Sequence, residues 1–520
     1  MNDVTTTKSV SGWLSSDNRE GSVPCSDIPL LSYAEWFADM RDWLRNESCR
    51  CASCFGVPQG DGLRIYSLMT DDAAGRVFIA SCRIASLPDT VLPSLTALYP
   101  AMHAFERDLA ERFGVRYGDH PWLKPLRFPA DRLDGRSTAS NYPFYEVRGE
   151  SLHEVNVGPI HAGIIEPGVF RFICNGEEIR HLEIVLGFQH RDVERLVCST
   201  SNVLRQTVLA ESMAGDSTVA HATAYARLVE KFASDASREE LASTSLPVER
   251  AVALEMERIA VHLADTGAIC MDIGYQLGQV ACEALRTVVI NSMQLWCGNR
   301  FSKGLIRPFG SHYPLCGALR EMILKNLSDV ERRYGEVARC LSNEPSVLGR
   351  LEDCGVVPAA RASRIGAVGP AARASGLVRD VRSSHGWDLY GRSVVHEPVV
   401  EQTGDVMARL KVRIGEVFQS IGYVRAWLEA SVPEAPQKRP PRYDVPLSPD
   451  RFAFSLVEGW RGEVCHAALT DAQGRLSVYR AVDPSLHNWL ALALAVRRIG
   501  ISDFPINNKS FSLSYCGHDM

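Results

Sequence analysis

The strongest constraint on the fold is the stretch from Val248 to Trp296, where apolar side chains recur every three or four positions, with one interruption around Asp272-Ile-Gly274. Such a pattern places an apolar stripe along each of two long helices, and those stripes must be buried against each other or a shared core. Similar spacing recurs at Val219, Ala222, Ala226 and Val229, where Asp216 or Ser217 can cap the helix start. Leu324 to Cys340 and Asp405 to Leu428 read as two more helices. Against this background FRFIC, then Asn175-Gly176, then EEIRHLEIVLG reads as a β-hairpin, with Asn-Gly supplying both positive-φ residues of a type I′ turn. Leu182, Ile184 and Leu186 alternate on one face of its second strand. The expected fold class is α+β: a small α/β N-terminal domain, then a mainly α-helical bundle with an edge β-hairpin.

The 520 residues exceed one ordinary domain. Residues 1–30 are Ser/Asp/Gly-rich and read as a loose leader, residues 31–135 as the small domain and residues 145–520 as the bundle domain. In the small domain Gly75-Arg-Val-Phe-Ile-Ala suggests a strand and Leu92 to Phe113 a helix. The boundary falls in the turn-rich Leu133 to Pro143. A Pro-rich stretch from Ser431 to Pro449 reads as an excursion within the bundle domain. A net charge of −6 argues against a nucleic-acid partner. No apolar run approaches the ~18–20 residues that span a bilayer, and the polar start has no signal-like apolar segment. The 15 cysteines suggest free thiols in a reducing compartment. Cys49, Cys51 and Cys54 form the one cluster, but its lone C-x-x-C lacks a second pair to complete a zinc site. It reads as a partly exposed, substitution-tolerant segment. No G-x-G-x-x-G follows a strand and no P-loop occurs, so any NADH chemistry is expected in another subunit.

More specific blocks follow. ERDLAERFGVRYGDHPWLKPLRFP, Glu106 to Pro129, resembles the 30-kDa-type subunit of respiratory complex I. VNVGPIHAGIIEPGVFRF, LGFQHRDVE, GDSTVAHATAYA, LEMERIAVHLADTGAIC, VGPAARASGLVRDVR, GDVMARLKVR and DFPINNKSFSLSYCGHDM then come in order. Together they resemble the large subunit of membrane-bound group 4 [NiFe]-hydrogenases, of the formate hydrogenlyase and hydrogenase-4 type. They resemble more distantly the 49-kDa-type subunit of complex I.

The resemblance also exposes a departure. That family holds nickel and iron with four cysteine thiolates, soft ligands suited to bridging both metals. The corresponding positions here are Ala214, Ser217, Ser514 and Gly517, with Cys516 one place out of register. No metal ligand set is therefore assigned to this chain, and a Ni–Fe centre is not expected.

Other pocket positions are carried over from the resemblance. Glu166 matches a proton-transferring glutamate, or else is a turn residue before Pro167 that caps a neighbour. His161 belongs to the same loop and is a proton relay or a structural histidine. Arg461 matches the arginine facing the diatomic ligands of iron; without them its buried charge needs an acceptor such as Glu166 or a carbonyl-bearing substrate. His221 stacks one turn after Ser217, lining a polar cavity or a helix–helix contact. Asp216 reads as an N-cap rather than a proton carrier. The quinone-binding histidine of complex I falls at Ile165 or Glu166 and its tyrosine near Gly215, so quinone is only a family-level expectation.

The resemblance implies the large subunit of a hetero-oligomeric oxidoreductase, peripheral to the cytoplasmic face of the inner membrane. Its partners would be an Fe–S small subunit, similar to the 20-kDa subunit of complex I, and antiporter-like membrane subunits. The Fe–S cluster is expected in the partner, since this chain has no four-cysteine cluster spacing. The alternatives are a hydrogenase with atypical ligands and a non-catalytic scaffold.

Overall fold

The computed structural model describes residues 12–85, 87, 90–133, 141–161, 165–242, 244–431 and 439–520. Part of the boundary at 133–143 and part of the Pro-rich excursion lie outside these residues. The N-terminal module is a five-stranded sheet. The long strands Cys49–Gln59, Gly62–Asp71 and Arg76–Ile84 run as an antiparallel meander, and Leu14–Ser16 and Leu30–Ser32 share the far edge of Arg76–Ile84. The helix Tyr33–Arg45 starts with a reciprocal Ser32–Glu35 capping box and buries Trp36, Met40 and Trp43. Within the stretch read as a helix from Leu92, only His103–Phe113 is α-helical, after a 3₁₀ turn at Pro100–Met102. Pro93 and Pro100 confine the regular helix, and Val91–Pro93 pairs in parallel with Arg116–Gly118 instead.

Two further expectations change here. The leader is not loose from residue 12 onward: Trp13 and Ile28 are buried, and the side chain of buried Asn18 bonds the backbone of His385 and Leu456. The cysteine cluster is no exposed segment either. It opens the strand Cys49–Gln59, and Cys49, Cys51 and Cys54 are all buried.

The helical reading of the second module holds. The run from Val248 is two helices, Leu246–Asp272 and Gln276–Cys297, joined at Gly274, whose φ is +74°. Gly317–Leu341 and Val406–Ser431 pack beside them. The hairpin is present as Val169–Asn175 and Glu178–Val185, with Leu152–Val157 adding a third strand. Its turn differs from the type I′ expectation: Gly176-Glu177 form the two-residue connection, and Gly176 alone has a positive φ, 58°. A register shift after Ile173 moves the corner by one residue.

A second sheet had no sequence-based counterpart. Arg451–Gly459, Gly462–Thr470 and Leu476–Val482 form an antiparallel meander, and Val23–Pro24 of the leader pairs with its free edge. The first two strands are buried on both faces along almost their whole length, so they lack the alternation that marks a half-exposed strand.

These layers enclose an extended buried ion network. Arg258 bonds Glu255 at 3.0 Å and lies 3.5 Å from Glu416. Arg373 bridges Glu416 at 2.5 Å and Glu458 at 2.8 Å, and Arg382 pairs with Asp380 at 2.8 Å. His262 reaches Glu416 at 2.8 Å. Each charge here is withdrawn from water, and the loss of one partner strands the others. Glu416→Ala is expected to destabilise the chain by about 3–5 kcal/mol, against little change for Arg332→Ala at an exposed ion pair. Denaturant unfolding of the two variants measures this difference.

Candidate functional site

The four positions that the resemblance sets against metal thiolates are buried: Ala214 and Ser217 at the start of the helix Thr218–Lys231, Ser514 and Gly517 at the final turn Tyr515–Asp519. Their chemistry is now that of an ion pair. Arg461 donates to both carboxylate oxygens of Asp216 at 2.6 Å, to Ser217 Oγ at 3.0 Å and to the Ser512 carbonyl at 2.5 Å. Its guanidinium also lies 3.9 Å over the ring of Trp460, whose Nε1–H donates to the Asp216 carbonyl. Burial opposes the charge of Arg461, but Asp216, with Asp483 and Asp265 beyond it, outweighs burial and holds the group well above its ordinary pKa.

Asp216 is therefore the acceptor of Arg461, in place of the Glu166 or carbonyl-bearing substrate offered by the sequence. It does not cap the helix. Ser217 occupies the N-cap position without a side-chain cap bond, and the cap comes from another helix. Glu257 accepts the backbone N–H groups of Val219 at 2.7 Å and Ala220 at 3.2 Å. Burial raises its carboxyl to about 8 against those two donors, and nearby Asp216 adds to the rise.

His221, fully buried, joins a polar chain across the core. Its Nδ1 lies 3.0 Å from His466 Nε2, and its Nε2 lies 3.0 Å from Asp483 Oδ2. His466 Nδ1 in turn meets the Tyr479 hydroxyl at 2.8 Å. Burial, then His221, push His466 well below the usual histidine range. Burial opposes ionisation of Asp483, but the bond from His221 and the charge of Arg461 bring its carboxyl down to about 2. Gly517 packs directly on this carboxylate, since a Cβ there would lie 2.7 Å from Asp483 Cγ.

Ser514 accepts the Gly517 N–H at 2.9 Å, and its N–H donates to Ser485 Oγ. Cys516 Sγ lies 3.4 Å from Ser514 Oγ, and burial, followed by Glu166, raises its thiol to about 11. Glu166 accepts the Cys516 N–H at 3.0 Å, so it reaches the last turn rather than the guanidinium. His161 packs beside Phe170 and Tyr515, and burial lowers its pKa. Ala214 is buried and accepts the Ser217 N–H. This donor set does not suit a Ni–Fe centre. It offers no thiolate at those positions, and both serine hydroxyls are engaged within the protein.

An open cleft of about 630 Å³ adjoins the ion pair. Gly215, Asp216, Glu257 and Asp265 line its polar end, and Met256, Ile290, Met293 and Phe301 line its apolar wall. Sequence reasoning missed Glu257, His466 and Asp483. The Asp483-Pro484 pair carries a helix-start signal that could have drawn notice, and Asp483 indeed caps the helix Pro484–Ala495. Glu257 sits within a charged helical run, where a carboxylate reads as solvated surface.

Comparison with known proteins accords with this architecture. Residues 33–144 match the family described as the respiratory-chain NADH dehydrogenase 30 Kd subunit, and residues 272–449 match the 49 Kd subunit. The chain fuses complex I-type 30-kDa and 49-kDa modules. Among its relatives, formate hydrogenlyase subunit 5 of Escherichia coli is 29% identical over 442 residues, covering 80% of this chain and 74% of the relative. The membrane-bound hydrogenase subunit alpha of Pyrococcus furiosus is 28% identical over 370 residues, 68% of this chain and 84% of that one. The fused C/D component of the NADH-quinone oxidoreductase of Phocaeicola vulgatus is 23% identical over 470 residues, 84% and 88% respectively. The homologues of this fused chain are thus subunits of hydrogenase-like and complex I-like oxidoreductases. Among the described residues no helix is long and apolar enough to cross a membrane.

The raised carboxyl of Glu257 has a definite sign in stability. The folded state holds that proton more tightly than the unfolded chain, so stability falls as pH rises from about 4.5 towards about 8. Glu257→Gln keeps one acceptor oxygen for these N–H groups and removes the titration. Its stability relative to wild type should therefore increase across that interval, as pH-dependent denaturant unfolding would show.

Proposed function

We propose that this chain is the large subunit of a membrane-associated oxidoreductase complex of the hydrogenase-4 and complex I type that works without a Ni–Fe centre. The observation that carries the reading is the bidentate Arg461–Asp216 pair, closed onto Ser217 at the positions where relatives of the resembled type would place thiolates. Electrons would come from an Fe–S partner subunit and the complex would be held at the membrane by antiporter-like subunits, with this chain peripheral on the cytoplasmic face. The chain's own contribution is proton handling beside the cleft. Glu257, held protonated near neutral pH by burial, can release a proton into the cleft when the balance of charge there changes. Arg461 holds Asp216 in place through two hydrogen bonds, and Glu166 positions the last turn through the Cys516 amide. The mixed polar and apolar lining of the cleft suits a quinone-like carbonyl compound with an apolar body.

Purified complex should contain no significant nickel by elemental analysis and should not take up hydrogen with an artificial acceptor; near-stoichiometric nickel would overturn the reading. In the assembled complex, Glu166→Gln and Arg461→Ala should each lower electron-transfer activity by at least about tenfold. If both variants retain full activity, the pocket is vestigial and the chain is a scaffold.

A further inference from the structure

A second cleft lies away from the ion pair, and nothing in the proposed function uses it. It is open, about 680 Å³ in volume, and bounded by the leader, the end of the helix Thr218–Lys231, the helix Asp235–Ala242, the start of the helix Leu246–Asp272 and the loop around Asp388. Six basic side chains line it: Arg19, Arg227, Lys231, Arg238, Arg250 and Arg392. Two carboxylates, Glu230 and Asp388, share the lining.

Four of the six cations have an acidic partner. Arg227 meets Asp388 at 2.8 Å, Arg250 meets Glu230 at 2.6 Å, Arg19 meets Asp17 at 2.9 Å, and Arg238 pairs with Asp235. Lys231 and Arg392 have none among the described residues. Lys231 is 5% exposed, and the one acceptor its ammonium finds is the Phe454 carbonyl at 2.6 Å, although it carries three N–H donors. Burial, then neighbouring Arg227, push it well below the ordinary lysine range, which marks a cation short of negative charge. Arg392 is exposed at the rim. Arg227, Arg238 and Arg250 also each leave a buried Nε–H without an acceptor among the described residues.

A helix C-terminus would by itself favour a lysine in its last turn. It does not explain Arg392, which lies on another segment, or the surplus of donors collected from five segments. That convergence suits a tetrahedral oxyanion of two or more charges, which accepts hydrogen bonds in several directions at once.

We infer that this cleft binds a phosphate group, with Lys231 and Arg392 as the cations that await it. The phosphate could belong to a free soluble compound or to the headgroup of an anionic phospholipid, and the two sources are separable. Calorimetric titration of the full chain with inorganic phosphate and with pyrophosphate tests the first. Co-sedimentation with phosphatidylglycerol vesicles, against phosphatidylcholine vesicles, tests the second.

Arg392→Ala should weaken binding from either source by about tenfold without shifting the melting midpoint of the unliganded chain. Lys231→Met should weaken it at least as much; if that buried variant fails to fold, Arg392→Ala decides alone. Binding of phosphate or pyrophosphate that Arg392→Ala weakens supports a soluble ligand. Binding confined to phosphatidylglycerol vesicles and weakened in the same way supports a lipid headgroup. If neither source binds wild type, or if the folded variants bind as wild type does, the inference is wrong.

Discussion

The structure depends on one buried electrostatic network, in which arginines and carboxylates taken out of water pair with one another. Glu255, Arg258, Arg373, Asp380, Arg382, Glu416 and Glu458 meet it from four separate parts of the chain. Tyr390 and Ser420 donate to Glu255 at 2.5 Å, filling its remaining acceptor capacity. Apolar packing tolerates small slides between helices, whereas paired charges at these distances do not, so the network sets how the long helices register against the buried sheet.

That rigidity reaches the candidate site through backbone contacts. The short helix Gly369–Arg373 carries Arg373 into the network, and its first residue lies so close to Arg461 that a Cβ on Gly369 would fall 2.0 Å from the Arg461 carbonyl oxygen. Gly369 has a φ of +63°, which a side chain would also strain. The backbone of Arg461 thus packs directly against the helix that carries Arg373 into the network.

Much of this architecture was legible in the sequence because helical periodicity is local. The Leu246–Asp272 and Gln276–Cys297 pair and the break before Gly274 follow from spacing alone, and the hairpin follows from its alternation. The sheet from Arg451 to Val482 was hidden because burial on both faces erases alternation, and the leader strands were hidden because two or three residues give no period to detect. In the site, the small and hydroxyl side chains at Ala214, Ser217, Ser514 and Gly517 were readable position by position, but not what surrounds them. The partner of Arg461 was not, since Asp216 reads locally as a helix cap and only tertiary packing reveals that Glu257 has taken that role. The same holds for His221, whose partners His466 and Asp483 lie more than two hundred residues away.

The pairing of Val23–Pro24 with Arg451–Phe452 ties the leader to a sheet encoded near the other end of the chain. During translation that leader must wait, its strand edge unmatched, until the sheet that begins at Arg451 has left the ribosome. Contacts so distant in sequence form slowly and leave sticky edges open meanwhile. A nascent chain of this design would depend on being shielded from its neighbours, and a fragment cut between the two modules would lose one side of a seam rather than a separable unit.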